Sequence, residues 1–152
     1  MKRKKFSLFA VLVLALSLAL SPVSAFAEEL DTPVHEDPID EIVYGIDTIN
    51  GHFTLYDGPY TTVFDVSVYC AYAWTEGISG QMLSATYTVT GIKINGSSAS
   101  ISYQSPVSYG SHNTWGKASK VYAFDNSVGY AVVDIMVFCD EYGDLSINAI
   151  IA

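Results

Sequence analysis

The chain has 152 residues, half of them hydrophobic, and sets 7 Lys and Arg against 16 Asp and Glu. That length suits a single domain behind a leader. The acidic balance excludes nucleic acid and anionic lipid as partners, because both are held by Lys and Arg, and leaves solubility as the simplest use of the charge.

The first five residues, MKRKK, are basic, residues 6–20 are apolar apart from Ser7 and Ser17, and a run of mostly small residues ends at Ala25-Phe26-Ala27. Basic, apolar and small segments in that order make a secretory signal peptide. Pro22 interrupts the apolar run short of the ~20 residues that a membrane span needs. Residues 1–27 are therefore expected to be removed, with cleavage after Ala25 as the alternative, and the product to be secreted. The basic start is of the bacterial kind, and no cysteine stands near the boundary to carry a lipid. The mature chain keeps three lysines, no arginine and all 16 acids, a net charge of −13.

Residues 28–41, EELDTPVHEDPIDE, carry seven of the acids together with Pro33 and Pro38. Such a stretch cannot bury enough apolar surface to order itself, and it reads as a disordered acidic leader. His35, Glu36 and Asp37 are metal-capable types, but a solvated linker accounts for them. The folded domain is expected over 42–152.

Within it, 42–48 reads as a strand, Asn50-Gly51 as a turn, 53–56 as a second strand and Asp57-Gly58-Pro59 as a second turn. The stretch 61–75, TTVFDVSVYCAYAWT, is the clearest element. Its even positions Phe64, Val66, Val68, Cys70, Tyr72 and Trp74 are all apolar, and its odd positions are smaller and mixed. Alternation of that kind is a strand with one face for a core. Fifteen residues exceed the usual strand, so a bend or bulge is expected inside it. Residues 76–80 turn the chain, and 82–93 forms the next strand. There the apolar phase changes at Gly91, from Leu83, Ala85, Tyr87 and Val89 to Ile92 and Ile94, the mark of a β-bulge.

Asn95-Gly96 is a hairpin signal that predicts pairing with 98–103. With Ser97 it also fits a glycosylation acceptor, though the turn explains it without sugar. Residues 104–116 are irregular and read as a loop or a poorly defined strand pair. Strands follow at 117–124, at 128–139 after the Asp125-Asn126 turn, and at 145–151, which puts Leu145, Ile147, Ala149 and Ile151 on one face. Short strands, glycine and asparagine turns and no amphipathic helix predict an all-β fold. The expected form is a single-domain antiparallel β-sandwich, immunoglobulin-like in architecture only, or a partly open barrel. It would hold about seven to nine strands.

Cys70 and Cys139 are the only cysteines. An even count in an exported chain predicts a disulfide, which would stabilise by roughly 4 kcal/mol in the chain-entropy model. A thiol nucleophile is the alternative, and it wants a nearby base and a reducing compartment. The spacing invites comparison with an immunoglobulin domain, but Val137 stands where that fold's corner tyrosine would be. Trp74 shares a strand with the first cysteine instead of lying on the next one. No family follows.

If Cys139 points inward, the other face of 128–139 shows Val128, Tyr130, Val132, Asp134, Met136 and Phe138. A strand apolar on both faces is normally covered on both. The cover is expected from the N-terminal strands 42–56, with self-association as the rival, and Tyr130, Val132, Met136 and Phe138 as the partner surface. The segment 103–115, YQSPVSYGSHNTW, sets Tyr103, Tyr109, His112 and Trp115 among small polar residues, a combination suited to sugar faces or peptide contacts. Asp140, Glu141 and Asp144 form an acidic turn of the kind that can hold calcium, without the spacing of a calcium loop.

No nucleophile motif, zinc motif or phosphate-binding glycine loop is present. His112 with Ser108 or Ser111, and the mid-strand pair Asp65 and Asp134, are the only hydrolase candidates. The expected function is a non-enzymatic extracellular binding module for a surface glycan or protein partner, with no cofactor. A secreted antibacterial or toxin-like effector is the alternative, and a small secreted hydrolase ranks last.

Overall fold

The computed structural model describes residues 40–152; the expected signal peptide and nearly all of the expected acidic leader, with His35, Glu36 and Asp37, lie outside the described residues. The described chain folds as nine strands: β1 (Ile42–Asp57), β2 (Tyr60–Thr75), β3 (Ser79–Ile94), β4 (Ser97–Ser98), β5 (Ser100–Gln104), β6 (Ser108–His112), β7 (Trp115–Asp125), β8 (Tyr130–Cys139) and β9 (Leu145–Ile151). All pairs are antiparallel. One sheet runs β1-β2-β3-β4; the other runs β5-β7-β8-β9, with β6 also on β7. Neighbours in sequence are mostly neighbours in space, two meanders in place of the Greek key of an immunoglobulin domain. The sheets face each other with β1 over β9, β2 over β8 and β3 over β7.

The alternation in 61–75 has the expected consequence. Phe64, Val66, Val68 and Cys70 are buried against Tyr122, Phe124, Val133, Ile135 and Val137 of the opposite sheet. The strand carries two register shifts, between Val63 and Asp65 and between Ala71 and Tyr72. The first sits opposite Gly91, whose φ of +64° belongs to the left-handed region that glycine alone enters freely. The second leaves Leu83 as the extra residue on β3, so Leu83 is 44% exposed while Met82 is buried. Beyond it the phase of β2 also changes: Ala73 is buried, whereas Trp74 is only half-buried, stacked on Tyr72 at 5.7 Å between centroids.

Asn50-Gly51 is not a turn. β1 passes straight through it, pairing Asn50 with Ser67 and Gly51 with Val66. The missing side chain is used by Phe53, whose ring lies 2.5 Å from where a Cβ of Gly51 would stand. The reversal is made once, at Gly58-Pro59, with Gly58 at φ +56°. Asn95-Gly96 does turn the chain, with φ of +49° and +78°, but only Ser97 and Ser98 pair with β3. At Ala99 the chain leaves the first sheet, and β5 joins the second. Asn126 fastens this crossing. Its amide donates to the carbonyls of Ile94, Ser97 and Ser98 at 3.1–3.3 Å, while its oxygen accepts from the N–H groups of Val128 and Gly129. The irregular stretch 104–116 resolves into β6 and the β6–β7 hairpin.

The disulfide is absent. Cys70 and Cys139 are both free and fully buried. Cys139 Sγ lies against the carbonyl of Ala73, three residues beyond Cys70 on β2, and Cys70 Sγ against the carbonyl of Asp47. Three strand residues span about 10 Å, so the thiols stand at different levels of the core, beyond the reach of a bond. Burial pushes the Cys139 thiol up to about 11 and raises that of Cys70 as well. A thiol reagent at pH 8 should therefore leave both unmodified in the folded protein and titrate both in guanidinium, and reductant should leave the melting temperature unchanged. A single native-state thiol reacting quickly would contradict this packing.

The N-terminal strands do not cover the outer face of β8 either. β1 is hydrogen-bonded to β2 in the first sheet, and among the described residues no strand packs over Val132, Asp134, Met136 and Phe138 from outside.

Candidate functional site

The four aromatic-loop residues do not form one site. Tyr109, on β6, reaches across to the first sheet, where its hydroxyl oxygen accepts the N–H of Ala85 at 3.0 Å. His112 sits exposed beside the Asn113 turn and pairs with Trp115 in the ladder. Trp115 is 43% exposed and lies edge-on to Phe138 on the outer face of the second sheet, at 6.1 Å. Tyr103, opposite Ala123, is eight residues of β7 away from Trp115, about 27 Å. Irregular sequence here produced two strand segments that face different ways.

The acidic turn is likewise used locally. Asp140 Oδ1 accepts the N–H groups of Tyr142 and Asp144 at 2.9 Å, and Glu141 Oε2 accepts the Thr114 hydroxyl at 2.7 Å. Among the described residues no three His, Cys, Asp or Glu side chains converge as metal ligands do, in this turn or elsewhere. Asp65 and Asp134 lie on the outer faces of opposite sheets and never meet.

A different group of side chains does converge. β1, β2 and β3 align Asn50, Ser67 and Thr88 as one cross-strand row and His52, Asp65 and Thr90 as the next. All six side chains belong to the outer face, because each sits out of phase with the buried Val66, Val68 and Tyr87. Together they line an open groove of ≈ 490 Å³ whose lining also includes Val66. Tyr69, 55% exposed, stands two residues beyond Ser67 on the same face and flanks the groove.

The centre of the groove is the His52–Asp65 pair, with Nδ1 and Oδ1 2.7 Å apart. With a carboxylate oxygen as the acceptor, the Nδ1 N–H is the donor of this pair, and Nε2 makes no hydrogen bond among the described residues. The bulge places the carboxylate: a Cβ on Gly91 would stand 2.8 Å from Asp65 Oδ2, so only glycine leaves that oxygen its position. Both side chains are well exposed, 65% and 57%. A pair in that setting contributes little to stability, roughly 0–1 kcal/mol. Neither Ser67 nor Thr88 is hydrogen-bonded to His52, so the nucleophile-to-base link of a hydrolase is not formed.

In the sequence Asp65 stands out only as a partner for Asp134, and His52 carries no motif. The signal was available. A tight turn at Gly58-Pro59 pairs residues whose numbers are symmetric about it, and His52 and Asp65 are so placed. No protein-family model, no curated protein and no solved structure matches this chain.

Proposed function

We propose that this protein is a non-enzymatic binding module that works outside the cell and takes a carbohydrate in the groove over β1, β2 and β3. The observation that carries the reading is the double row of six outward polar side chains flanked by an exposed tyrosine. A sugar presents adjacent hydroxyls, each a donor and an acceptor, along with an apolar ring face. Asn50 supplies both kinds of partner, Asp65 accepts, Ser67, Thr88 and Thr90 do either, and Tyr69 offers the ring. The groove volume lies within the usual range for small-ligand sites. Export is supported by the basic, apolar and small order of residues 1–27. The acidic surface argues against polyanionic sugars and for neutral or basic ones.

Calorimetric titration with neutral and amino-sugar oligosaccharides tests this. Saturable binding is expected, weakened about tenfold or more in Asp65→Ala, the magnitude of a lost charge-assisted hydrogen bond. Trp115→Ala, remote from the groove, should bind as the parent does. If no glycan binds, the reading fails, and inhibition of neighbouring cells by the secreted protein becomes the next assay. Binding lost in Trp115→Ala but kept in Asp65→Ala would move the site to the second sheet.

A further inference from the structure

The groove takes up only the middle of the first sheet's outer face, which continues past it in both directions. β1 and β2 pair without a shift from Ile42 to Asp57, so alternate residues of β1 stay on the groove's side along the whole strand. Towards one end stand Tyr69, in the row beside the groove, and Tyr44, four residues beyond that row. Towards the other end stands Tyr56, four residues from His52. Tyr44, Tyr69 and Tyr56 are 70%, 55% and 74% exposed. At about 3.4 Å per residue the run from Tyr44 to Tyr56 is about 40 Å long, and the groove lies between Tyr69 and Tyr56. Charge is sparse along it. In the outward rows between these tyrosines Asp65 is the only acid and Lys93, opposite Val63, the only lysine, although the chain carries 16 acids. Hydroxyl, amide and apolar side chains make up the rest, together with His52.

We infer that the groove's ligand is one chain of a linear, uncharged, β-linked polysaccharide, held along its length and not by an end; this rests on the carbohydrate reading above. A chain that passes through the open groove and runs on along the strands meets Tyr69 and Tyr44 on one side and Tyr56 on the other. Each tyrosine offers an apolar ring to a sugar face, and the Ser and Thr side chains between them offer donors and acceptors to its hydroxyls. Extended, ribbon-like chains with β-linkages follow a straight run of this length, whereas α-linked chains coil away from it. The acidic protein opposes the approach of a polyanion, and this face has too few acids to hold a polycation, which leaves the uncharged chain. The sheet's twist bears on the number of chains. Paired strands of 16 residues twist along their length, so the three tyrosines are turned progressively about the strand axis. A single chain turns with them; the flat face of a crystalline array does not. Contacts on the flanks add to binding at the centre with no second loss of rigid-body freedom, so affinity grows with chain length.

Protein purified from cells expressing the full chain is titrated in a calorimeter with cello-, xylo- and chito-oligosaccharides, each from the disaccharide to the hexasaccharide. In at least one series the affinity is expected to rise about tenfold or more with length, the effect of one further aromatic contact. Tyr44→Ala combined with Tyr56→Ala should remove most of that rise and leave binding of the shortest sugars unchanged, because both residues lie outside the groove. A circular dichroism melt confirms that the double variant is folded; if it is not, the length series of the parent decides alone. Added salt should leave the hexasaccharide affinity unchanged, and a steep fall with salt would overturn the uncharged class. Malto-oligosaccharides, which are α-linked, should show no rise with length. Equal affinity at every length overturns the inference and leaves the groove reading standing, as does a rise that survives the double variant. If none of the three series binds but another glycan does, the inference fails alone. If no glycan binds at all, both fail.

Discussion

Alanine at Gly80 or Gly116 should destabilise the domain by about 3 kcal/mol or more, lowering the melting temperature by about 12 °C or more. At Gly80 the added Cβ would collide with the backbone carbonyls of Cys139 and Asp140, and at Gly116 with the backbone of Gln81 and Met82. These are contacts between main chains of different sheets, so no rotamer change relieves them. Gly80 N also donates to Thr114 O at 2.6 Å, which stitches the start of β3 to the β6–β7 turn. The corner where β3 meets β7 is therefore closed by backbone proximity, and that closure brings the sandwich towards a barrel on one side. Gly110→Ala is the control, since nothing stands within 4 Å of its Cβ position and its φ is ordinary. There the substitution should be neutral or gain a few tenths of a kcal/mol by restricting the unfolded chain. Thermal melts of the three variants check this; a Gly116→Ala protein melting with the parent would mean that the sheets do not approach as described.

Phe64→Ala should cost about 3–5 kcal/mol, the usual range for removing a buried phenylalanine. Phe64 is fully buried and sits between Phe53 of β1, 5.6 Å away, and Phe124 of β7, 5.3 Å away, with Tyr122 stacked on Phe124 at 6.1 Å. This aromatic column crosses from one sheet to the other, and its removal leaves a cavity that two hydrogen-bonded sheets cannot collapse to fill. Trp115→Ala, by contrast, removes a half-exposed ring with one edge contact and should cost well under half as much. Urea unfolding of the two variants measures the ratio, and equal losses would place Trp115 in the core after all.

Much of the first sheet was legible in residue order because its signals are local. Phe64, Val66 and Val68 announce their own face by alternation, and Gly91 announces its bulge by shifting the phase of its neighbours. Asn95-Gly96 announces a turn by chemistry. Asn50-Gly51 has the same turn chemistry but is overruled by pairing. Sixteen residues of β1 gain more from a continuous ladder with β2 than two residues gain from turning, and Phe53 uses the space above Gly51. The same continuous ladder sets His52 beside Asp65, a pairing that a turn at Asn50-Gly51 would preclude.

Residue order alone determined the all-β class, the inward faces of β2, β8 and β9, and the bulge at Gly91, since each rests on periodicity or backbone freedom within a few residues. Tertiary structure decided what depends on height and register between strands far apart in the chain. Cys70 and Cys139 both point into the core, as alternation requires, yet the stacking of the sheets sets them at different levels and keeps both thiols free. Tyr103, Tyr109 and Trp115 are close in sequence and separated in space: Tyr109 turns inward opposite Ala118, while Tyr103 and Trp115 share the outer face about 27 Å apart along the strands. His52 and Asp65 are 13 residues apart and only 2.7 Å distant. Alternation specifies a face, but the level at which two faces meet is set only when every strand is packed.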